Sequence, residues 1–289
     1  MKLIVKNNEK LIKFLIHNIQ GLSFANAQKL LRKGDVKVNS KRTKENIEVV
    51  TGDEIDVYSV QKAMPKVNIM YEDNNVLIVH KPYGIECATR DKSSENTYSL
   101  EEIFAEKNAK IVHRLDRLTE GLVILAKTLE VVKKFERYFS TGKVKKFYKA
   151  LVYSIPNTDG IKTAYLKKDS LKSEVLISDT KKDGYKEIIT EFQIENKYNN
   201  SALLDINLHT GRTHQIRAYF SHIGCPVIND AKYGNGKNIS NSKYKGYFLT
   251  AYKINFEIDD DLKYLNELNI EISPTWLTEL TQEKDILEN

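Results

Sequence analysis

A charged segment that leads directly into an apolar strand constrains this chain more than any other feature. Arg114, Asp116 and Arg117 lie close together, and Gly121 then opens a continuous apolar run over residues 121–126. A run of this length behind a turn residue predicts a buried strand. A carboxylate beside a buried strand is energetically costly unless cations compensate for its charge. The pattern therefore predicts that Asp116 is a functional group held by positive charges.

A second cationic segment, His-Thr-Gly-Arg-Thr-His-Gln-Ile-Arg, covers residues 209–217. Thr213 is a typical N-cap residue, so the sequence predicts a helix over residues 214–223. His214 and Arg217, three residues apart, would lie on one stripe of this helix. The positions expected to face the core are Ile216, Phe220 and Ile223. Such a helix could hold a guanidinium in a fixed position, and an arginine close to a carboxylate favours the ionised form of that carboxylate.

Together the two segments resemble the signature of the RluA-type pseudouridine synthases, which isomerise uridine within RNA. The resemblance implies that Asp116 is the catalytic residue and that Arg217 is its partner. The run Lys-Phe-Tyr-Lys-Ala at residues 146–150 is similar to the K-x-Y-x-A motif of that family. It implies that Tyr148 stacks on the target uracil and can take the C5 proton. Leu249 stands where the family has an apolar pocket residue. The other substrate contacts that the resemblance implies are His113, Arg114, Arg117, Arg212 and His214.

Four positions depart from the usual pattern of that family. Leu118 and Glu120 stand where Asp and Ser are more familiar, and Tyr219 and Thr250 stand where His is common. The departures leave the Asp, Tyr and Arg in place, so they bear on substrate preference rather than on the reaction. On the residues alone, a buried Asp–Arg pair that only joins two segments is an equal alternative. Breaking such a pair costs about 3–5 kcal/mol.

The first 60 residues predict a small domain of helices followed by short strands. Apolar residues recur at helical spacing between positions 11 and 19, Gly21 ends that helix, and Ser23 caps a second helix through Arg32. The strands are expected at residues 36–39, 47–50 and 55–58. This order, with a basic helix leading into a G-x-V-x-V-N strand, resembles the S4 RNA-binding domain. The resemblance implies a phosphate-binding face of Lys29, Arg32, Lys33, Lys37, Lys41 and Arg42. A solvated basic face on an accessory fold is the alternative.

Residues 61–66 predict a linker, because the strand pattern lapses and Pro65 interrupts it. A larger domain over residues 67–289 would follow, with one amphipathic helix capped by Thr128. Strands are expected at residues 67–71, 76–81, 121–126, 147–153, 188–194 and 202–208. One of them stops at Lys-Pro-Tyr-Gly, residues 81–84, which is similar to the K-P-x-G turn of the family. Many strands with few helices predict an α+β fold built on a mixed, mainly antiparallel sheet.

The charge of the chain is distributed unevenly along the sequence. Nine acidic residues and two lysines give residues 258–289 a net charge of −7, and the total of +6 leaves +13 for residues 1–257. A basic body that binds a phosphate polymer, with an acidic C-terminal edge turned away from it, would account for this asymmetry. Surface lysines that serve only solubility are the alternative.

The composition disfavours several kinds of site. Cys87 and Cys225 stand alone, which predicts buried apolar thiols rather than a disulfide, a zinc site or a nucleophile. The six histidines form no metal-binding pattern, so we expect neither a metal nor an organic cofactor. The N-terminus has no apolar core of signal-peptide length, and no run reaches the ~18 apolar residues of a membrane span. We therefore expect a cytoplasmic protein with no membrane partner.

These features predict an RNA pseudouridine synthase, an isomerase, and we expect it to act as a monomer. An S4 domain joined to an RluA-type domain is similar to the large-subunit ribosomal RNA enzymes, which implies a target in 23S-type ribosomal RNA or its precursor particle. A synthase acting on tRNA and a non-catalytic RNA- or ribosome-binding factor are the alternatives. An aminoacyl-tRNA synthetase is disfavoured, because the run at residues 221–225 lacks the second His of an H-I-G-H motif. A methyltransferase would need a glycine-rich cofactor loop, and none is present.

Overall fold

The computed structural model describes residues 1–19, 22, 24–58, 64–88, 98–169, 174–237 and 242–282. The chain folds into two compact units, Met1–Lys66 with Thr89–Ile103 and Val67–Ala88 with Phe104–Asn289. The roles predicted for an RNA-binding domain at residues 1–60, a linker at 61–66 and a catalytic domain at 67–289 stay predictions. In the part of the chain that is described, no helix is long and apolar enough to cross a membrane.

The first unit combines two main helices with short strands. Its elements in chain order are β1 (Lys2–Ile4), β2 (Glu9–Lys10), α1 (Leu11–Asn18), α2 (Phe24–Lys33), β3 (Val36–Val38), β4 (Lys41–Thr43), β5 (Glu48–Val49), β6 (Glu54–Val57) and the one-turn helix α3 (Leu100–Ile103). The strands form an antiparallel sheet in the order β1-β6-β3-β4 and a separate β2-β5 pair. Leu11, Leu15 and Leu31 are buried in the core between helices and strands, which explains the apolar spacing of both helices. The predicted helix-end residues Gly21 and Ser23 lie outside the described residues.

The second unit is built on one large sheet. Its elements are β7 (Asn68–Glu72), β8 (Val76–Lys81), β9 (Lys110–Ile111), β10 (Glu120–Ala126), α4 (Leu129–Ser140), β11 (Val144–Tyr153), β12 (Gly160–Asp169), β13 (Glu174–Ser178), β14 (Lys186–Lys197), β15 (Ser201–Leu208), α5 (Gln215–His222), β16 (Leu249–Phe256), β17 (Ile270–Glu271) and α6 (Thr275–Gln282). The strand order is β13-β12-β14-β15-β11-β16-β10-β8-β7, with β17 beside β16 and β9 beside β10. Among the described pairs of this sheet, only β10 and β16 run parallel. The predicted α+β class with a mixed, mainly antiparallel sheet is confirmed.

Helix α4 covers part of the sheet, and its start is fixed by the predicted cap. The Val131 amide donates to Oγ1 of Thr128 at 3.2 Å. Phe135 and Tyr138 are fully buried in the same cluster as Ile124 of β10. Burying each such side chain contributes about 1.5–3 kcal/mol, so this apolar face holds the helix on the strand that follows Asp116.

Gly121 allows β10 and β16 to approach each other closely at the point where the site is built. Its φ of +141° lies in the region that favours glycine, and a Cβ there would meet backbone atoms of Ala251 at 2.5 Å. A larger residue would therefore push the two strands apart. The contact brings the start of β10, just after Asp116, beside Leu249 at the start of β16.

The acidic segment near the C-terminus is paired with cations of α4 and of the start of β11. The pairs are Lys134–Asp261, Arg137–Asp260, Lys143–Asp259 and Lys145–Glu257. Exposed pairs of this kind contribute little stability, about 0–1 kcal/mol each. Three of the nine acidic residues of the C-terminal segment, Asp259, Asp260 and Asp261, therefore lie beside basic side chains, and the acidic edge turned away from RNA stays a prediction.

Candidate active site

Asp116 lies in the loop between β9 and β10, and three hydrogen bonds to two neighbouring segments hold the backbone of this loop. The contacts are Gly84 N to Arg117 O (2.7 Å), Leu115 N to Cys87 Sγ (3.3 Å) and Tyr247 N to Leu118 O (3.0 Å). The first of them uses the Lys-Pro-Tyr-Gly turn after β8. One segment follows β8 and the other leads into β16, so strands of the sheet anchor both and the carboxylate is presented on a rigid frame.

The buried ammonium of Lys81 strengthens this frame. Its side chain is fully buried and donates to the carbonyl oxygens of Pro82 (3.2 Å), Ile85 (2.9 Å) and Arg117 (3.3 Å). Burial lowers the pKa of Lys81 to about 8, although the charges of Cys87 and Asp116 oppose this effect. The lysine of the K-P-x-G turn therefore joins the end of β8 to the loop that carries Asp116.

Arg217 connects the carboxylate of Asp116 to a second, deeper carboxylate. Its Nη1 donates to Oδ2 of Asp116 at 2.6 Å, while Nε and Nη2 donate to both oxygens of Asp230 at 2.6 and 2.9 Å. The side chains of Arg217 and Asp230 are 3% and 0% exposed, but that of Asp116 is 21% exposed. The bidentate bond to Asp230 orients the guanidinium and leaves Nη1 for the carboxylate that solvent can reach.

Two tyrosine rings complete the environment of the guanidinium. The Cζ of Arg217 lies 4.0 Å from the ring centroid of Tyr247 and 5.1 Å from that of Tyr233. Burial works against its charge, but the hydrogen bonds and charge of Asp230, with the charge of Asp116, raise the pKa of Arg217 above its ordinary value. The cation beside Asp116 is therefore permanent.

The helix that carries Arg217 begins one residue later than predicted, at Gln215. The residue before it, His214, has a left-handed backbone with φ of 55°, and no side chain caps the helix, so the predicted cap at Thr213 is wrong. Gln215 fixes this end instead, because its Oε1 accepts from the Arg212 amide at 3.0 Å. The predicted core position Ile223 is also wrong, since its side chain lies after the helix and is 37% exposed.

A small pocket of about 60 Å³ opens beside Asp116. The predicted residues that line it are Asp116, Tyr148, Arg217, Arg114, Arg212, His214 and Leu249. Tyr148 comes from β11, where burial first, and then the charges of Asp116 and Cys87, raise its pKa. His214 Nε2 lies 3.8 Å from Oδ1 of Asp116, and burial lowers the pKa of His214 although that carboxylate opposes it. Four segments far apart in sequence, around residues 114–116, 148, 212–217 and 249, thus form one pocket.

Two predicted substrate-contact residues do not line this pocket. His113 is packed against Phe139, and its Nε2 accepts a hydrogen bond from the Ile124 amide at 3.0 Å. Burial lowers the pKa of His113 to about 3, so the ring is neutral. Arg117 contributes its carbonyl to the frame, while its side chain is exposed. These residues support the loop rather than the pocket wall.

Glu120, one of the departures from the family pattern, is fully buried at the start of β10. Its oxygens lie 2.7 Å from His80 Nε2, 3.1 Å from the Tyr244 hydroxyl and 2.8 Å from the Thr275 hydroxyl. Trp276 of α6 donates to Thr250 at 2.8 Å next to this cluster. Glu120 therefore joins β8, β10, the segment before β16 and helix α6, and a hydroxyl-rich cluster satisfies its charge.

The predicted RNA-binding cations of the first unit lie on α2, β3 and β4. Those with exposed side chains are Lys29, Arg32, Lys33, Lys41 and Arg42. Lys37 is half-buried, and its Nζ lies 4.9 Å from the ring centroid of Tyr58. The pairing of β3 with β4 sets Lys37 opposite Arg42. Five of the six predicted cations are therefore exposed on the first unit.

Sequence reasoning missed Asp230 and Tyr247, which hold Arg217 in place. Asp230 follows Asn229 in a short irregular segment without periodicity, and its only local signal is an acidic residue before Tyr233 and Gly234. Both predicted buried thiols, Cys87 and Cys225, are buried. Over the ranges that the structure describes, no group of three or more His, Cys, Asp or Glu side chains could hold a metal ion.

Comparison with known proteins gives a consistent result. The model of the family described as RNA pseudouridylate synthase matches residues 75–222. The ribosomal large subunit pseudouridine synthase C of Buchnera aphidicola is 33% identical over 254 residues, which cover 80% of this chain and 79% of that protein. An uncharacterized RNA pseudouridine synthase of Mycoplasma capricolum is 31% identical over 309 residues, covering 96% of this chain and 99% of that protein.

A solved structure shares the fold. Human RNA pseudouridylate synthase domain containing 4 superposes with a TM-score of 0.59 at 19% identity, covering 75% of this chain and 93% of that chain. The matched family segment contains Asp116, Tyr148 and Arg217.

Proposed function

Because this chain belongs to the RNA pseudouridylate synthase family, we propose that Asp116 is the catalytic residue of an enzyme that converts uridine to pseudouridine in large-subunit ribosomal RNA. The observation that carries the proposal is the Asp116–Arg217 pair in a pocket that Tyr148 also lines. The reaction breaks the N1–C1′ bond, turns the uracil and forms a C5–C1′ bond. The proton lost from C5 is balanced by one gained at N1, so no oxidant or reductant is needed.

The two oxygens of Asp116 are suited to different tasks. Oδ2 is held by Arg217, whereas no residue in the described part of the chain donates a hydrogen bond to Oδ1. We assign Oδ1 as the atom that meets the substrate. The permanent cation of Arg217 lies 2.6 Å from Oδ2 and balances the charge of the carboxylate as the glycosidic bond is exchanged, so Asp116 can act as nucleophile or base.

Tyr148 is the proposed platform for the uracil. It lies at the wall of the pocket with its ring largely buried, and its raised pKa keeps the phenol protonated at neutral pH. A protonated phenol is a weak base, so the site favours stacking by Tyr148 over proton abstraction at C5. Leu249 provides an apolar wall of the same pocket.

The ribosomal target rests on the names of the relatives and on the exposed cations of the first unit. The first observation is a relative at 33% identity that is named ribosomal large subunit pseudouridine synthase C. The second is the set of exposed cations on α2 and β4. We assign the first unit as an S4-like RNA-binding module on that basis. Neutralising Arg32 and Lys33 in the full chain should reduce the log–log salt slope of RNA binding by roughly 0.7–0.9 for each phosphate that the protein no longer binds. An unchanged slope would refute the assignment.

Mapping pseudouridines by carbodiimide-dependent reverse-transcription stops, in cells with and without the gene, tests the target. We expect specific stops in large-subunit ribosomal RNA to disappear when the gene is removed. Loss of stops in tRNA instead would favour the tRNA alternative, and no loss in either RNA would favour a non-catalytic factor. The cytoplasmic location and the monomeric state stay predictions.

A further inference from the structure

A cavity of about 630 Å³ adjoins the pocket of Asp116 and lies entirely within the second unit. Arg114, Leu208 and Arg212 line both depressions, so the two share a wall. Its volume falls within the ~300–1,000 Å³ typical of ligand sites. The charged side chains around it are Arg114, Lys145, Lys146, Arg212 and Glu136. The cavity is therefore a basic chamber beside the reaction site.

Lys146 differs from the lysines around it. Lys143 is paired with Asp259, Lys145 with Glu257, and Lys149 with both Glu195 and Asp205. Lys146 has neither a hydrogen-bond partner nor an ion-pair partner among the residues that the structure describes. Its Nζ lies 5.0 Å from the ring centroid of Phe139, which is also a wall of the cavity.

The ammonium of Lys146 lies against the segment that carries Arg212 and Arg217. A Cβ built at Gly211 would lie 2.9 Å from Nζ of Lys146, so the ammonium lies directly against this loop. Burial lowers the pKa of Lys146 to about 8. Lys146 is half-buried, and a cation partly removed from water without a counterion is unfavourable, so an anionic ligand in the cavity would reduce that penalty.

We propose that this cavity is a second RNA subsite, in which Lys146 binds the phosphodiester of a nucleotide next to the target uridine. The inference rests on the proposed function, because it takes the target uridine to occupy the pocket of Asp116. A neighbouring nucleotide is covalently tied to the target, so its backbone must cross the wall formed by Arg114 and Arg212. These two exposed arginines guide the strand, and Lys146 receives the charge at the end of that path.

The test compares Lys146→Met with Lys143→Met in the full chain. Both variants remove one lysine charge from the same region, but Lys143 has a carboxylate partner and does not line the cavity. Affinity for a short uridine-containing single-stranded RNA is measured by fluorescence anisotropy between about 50 and 200 mM salt. We expect Lys146→Met to reduce the log–log slope by ~0.7 and Lys143→Met to leave it unchanged.

Equal slopes for Lys146→Met, Lys143→Met and wild type would overturn the subsite. Lys146→Arg keeps a cation at this position and serves as the second variant. If Lys146→Arg reduced the log–log slope as much as Lys146→Met does, the subsite would also be overturned. These readouts measure binding alone, so they do not depend on turnover. Failure of the proposed function would appear separately, as absent conversion of uridine by the wild-type chain.

Discussion

Arg217 lines the pocket of Asp116, and Lys146 lines the larger cavity beside it. Arg114 and Arg212 form the wall between the two, and the environments of the two cations differ. Arg217 has two carboxylate partners and two tyrosine rings, and its pKa is raised above the ordinary value. Lys146 has an aromatic ring and no carboxylate, and burial lowers its pKa to about 8. Arg217 therefore has counterions before RNA binds, whereas Lys146 has none among the described residues.

The difference separates a group that organises the site from a group that awaits a ligand. A cation fixed by Asp230 costs no reorganisation when charge shifts on Asp116, which is what catalysis by preorganised electrostatics requires. A cation that lacks a counterion destabilises the empty protein and gains the most when an anion arrives. The contrast can be tested by removing each partner in turn.

The largest effect is expected for Asp116→Asn, which removes the charge that Arg217 holds. Turnover should fall by at least ~10²–10⁴-fold, while affinity for RNA and the free energy of unfolding change little. Arg217 keeps its bidentate bond to Asp230 in this variant, so no buried charge is left alone. Tritium release from RNA labelled at C5 of uridine measures the rate. Asp179→Asn, which only removes a surface contact with His222, is the control. Retention of more than about a tenth of the wild-type rate would exclude Asp116 as the catalytic residue.

Asp230→Asn should turn Arg217 into a poorly partnered cation like Lys146. The free energy of unfolding should fall by about 3–5 kcal/mol, because a fully buried pair is broken on one side. Turnover should fall as well, since the guanidinium loses its orientation toward Asp116. Denaturant melts and single-turnover rates measure the two effects. Asp259→Asn is the control, because it removes a carboxylate from an exposed ion pair with Lys143. Equal destabilisation by both variants would contradict a special role for Asp230.

The sequence predicts the residues of the Asp116 pocket better than the residues and partners that set the environments of Arg217 and Lys146. Asp116, Tyr148 and Arg217 lie in runs with clear period or composition, and the structure brings their side chains to one pocket. Asp230 and Tyr247 cannot be predicted in the same way, because they reach Arg217 through irregular segments. Strand β16 is also missed, since its place beside β10 depends on a parallel, long-range pairing that leaves no local pattern. The solitary state of Lys146 is equally hidden, because it depends on which carboxylates the fold gives to its neighbours.

Glu120→Ala removes a buried carboxylate that accepts hydrogen bonds from two hydroxyl groups, and it tests a buried anion beside the two cations. The substitution leaves Tyr244, Thr275 and His80 without their acceptor. Of these three donors the Tyr244 hydroxyl is buried, and a buried donor left unsatisfied costs about 1–3 kcal/mol. We expect a lower midpoint of urea denaturation but a saturated turnover rate much closer to wild type than that of Asp116→Asn. Glu191→Ala, which removes a half-buried carboxylate bonded to Asn207 and His209, is the control. A rate loss as large as that of Asp116→Asn would place Glu120 in the chemistry instead.

The smallest expected effect is a pH-dependent gain in stability for Lys146→Met. In the folded chain Lys146 loses its proton at about pH 8, against an ordinary value of 10.5, so between these values the unfolded chain binds more protons. The free energy of unfolding contributed by this lysine therefore rises with pH across that window, and its penalty is fully present below pH 8. At pH 7 the methionine variant should be more stable than wild type by about 1–2 kcal/mol, with solvent screening of a half-buried charge allowed for. The stability difference between Lys146→Met and wild type should shrink toward pH 10.

Urea melts of wild type, Lys146→Met and Lys143→Met at several pH values measure this difference. A difference between wild type and Lys146→Met that stays constant with pH would show that Lys146 is not held as an unpaired cation. A gain in stability together with weaker RNA binding would show that this charge is kept for its ligand at the expense of the empty fold.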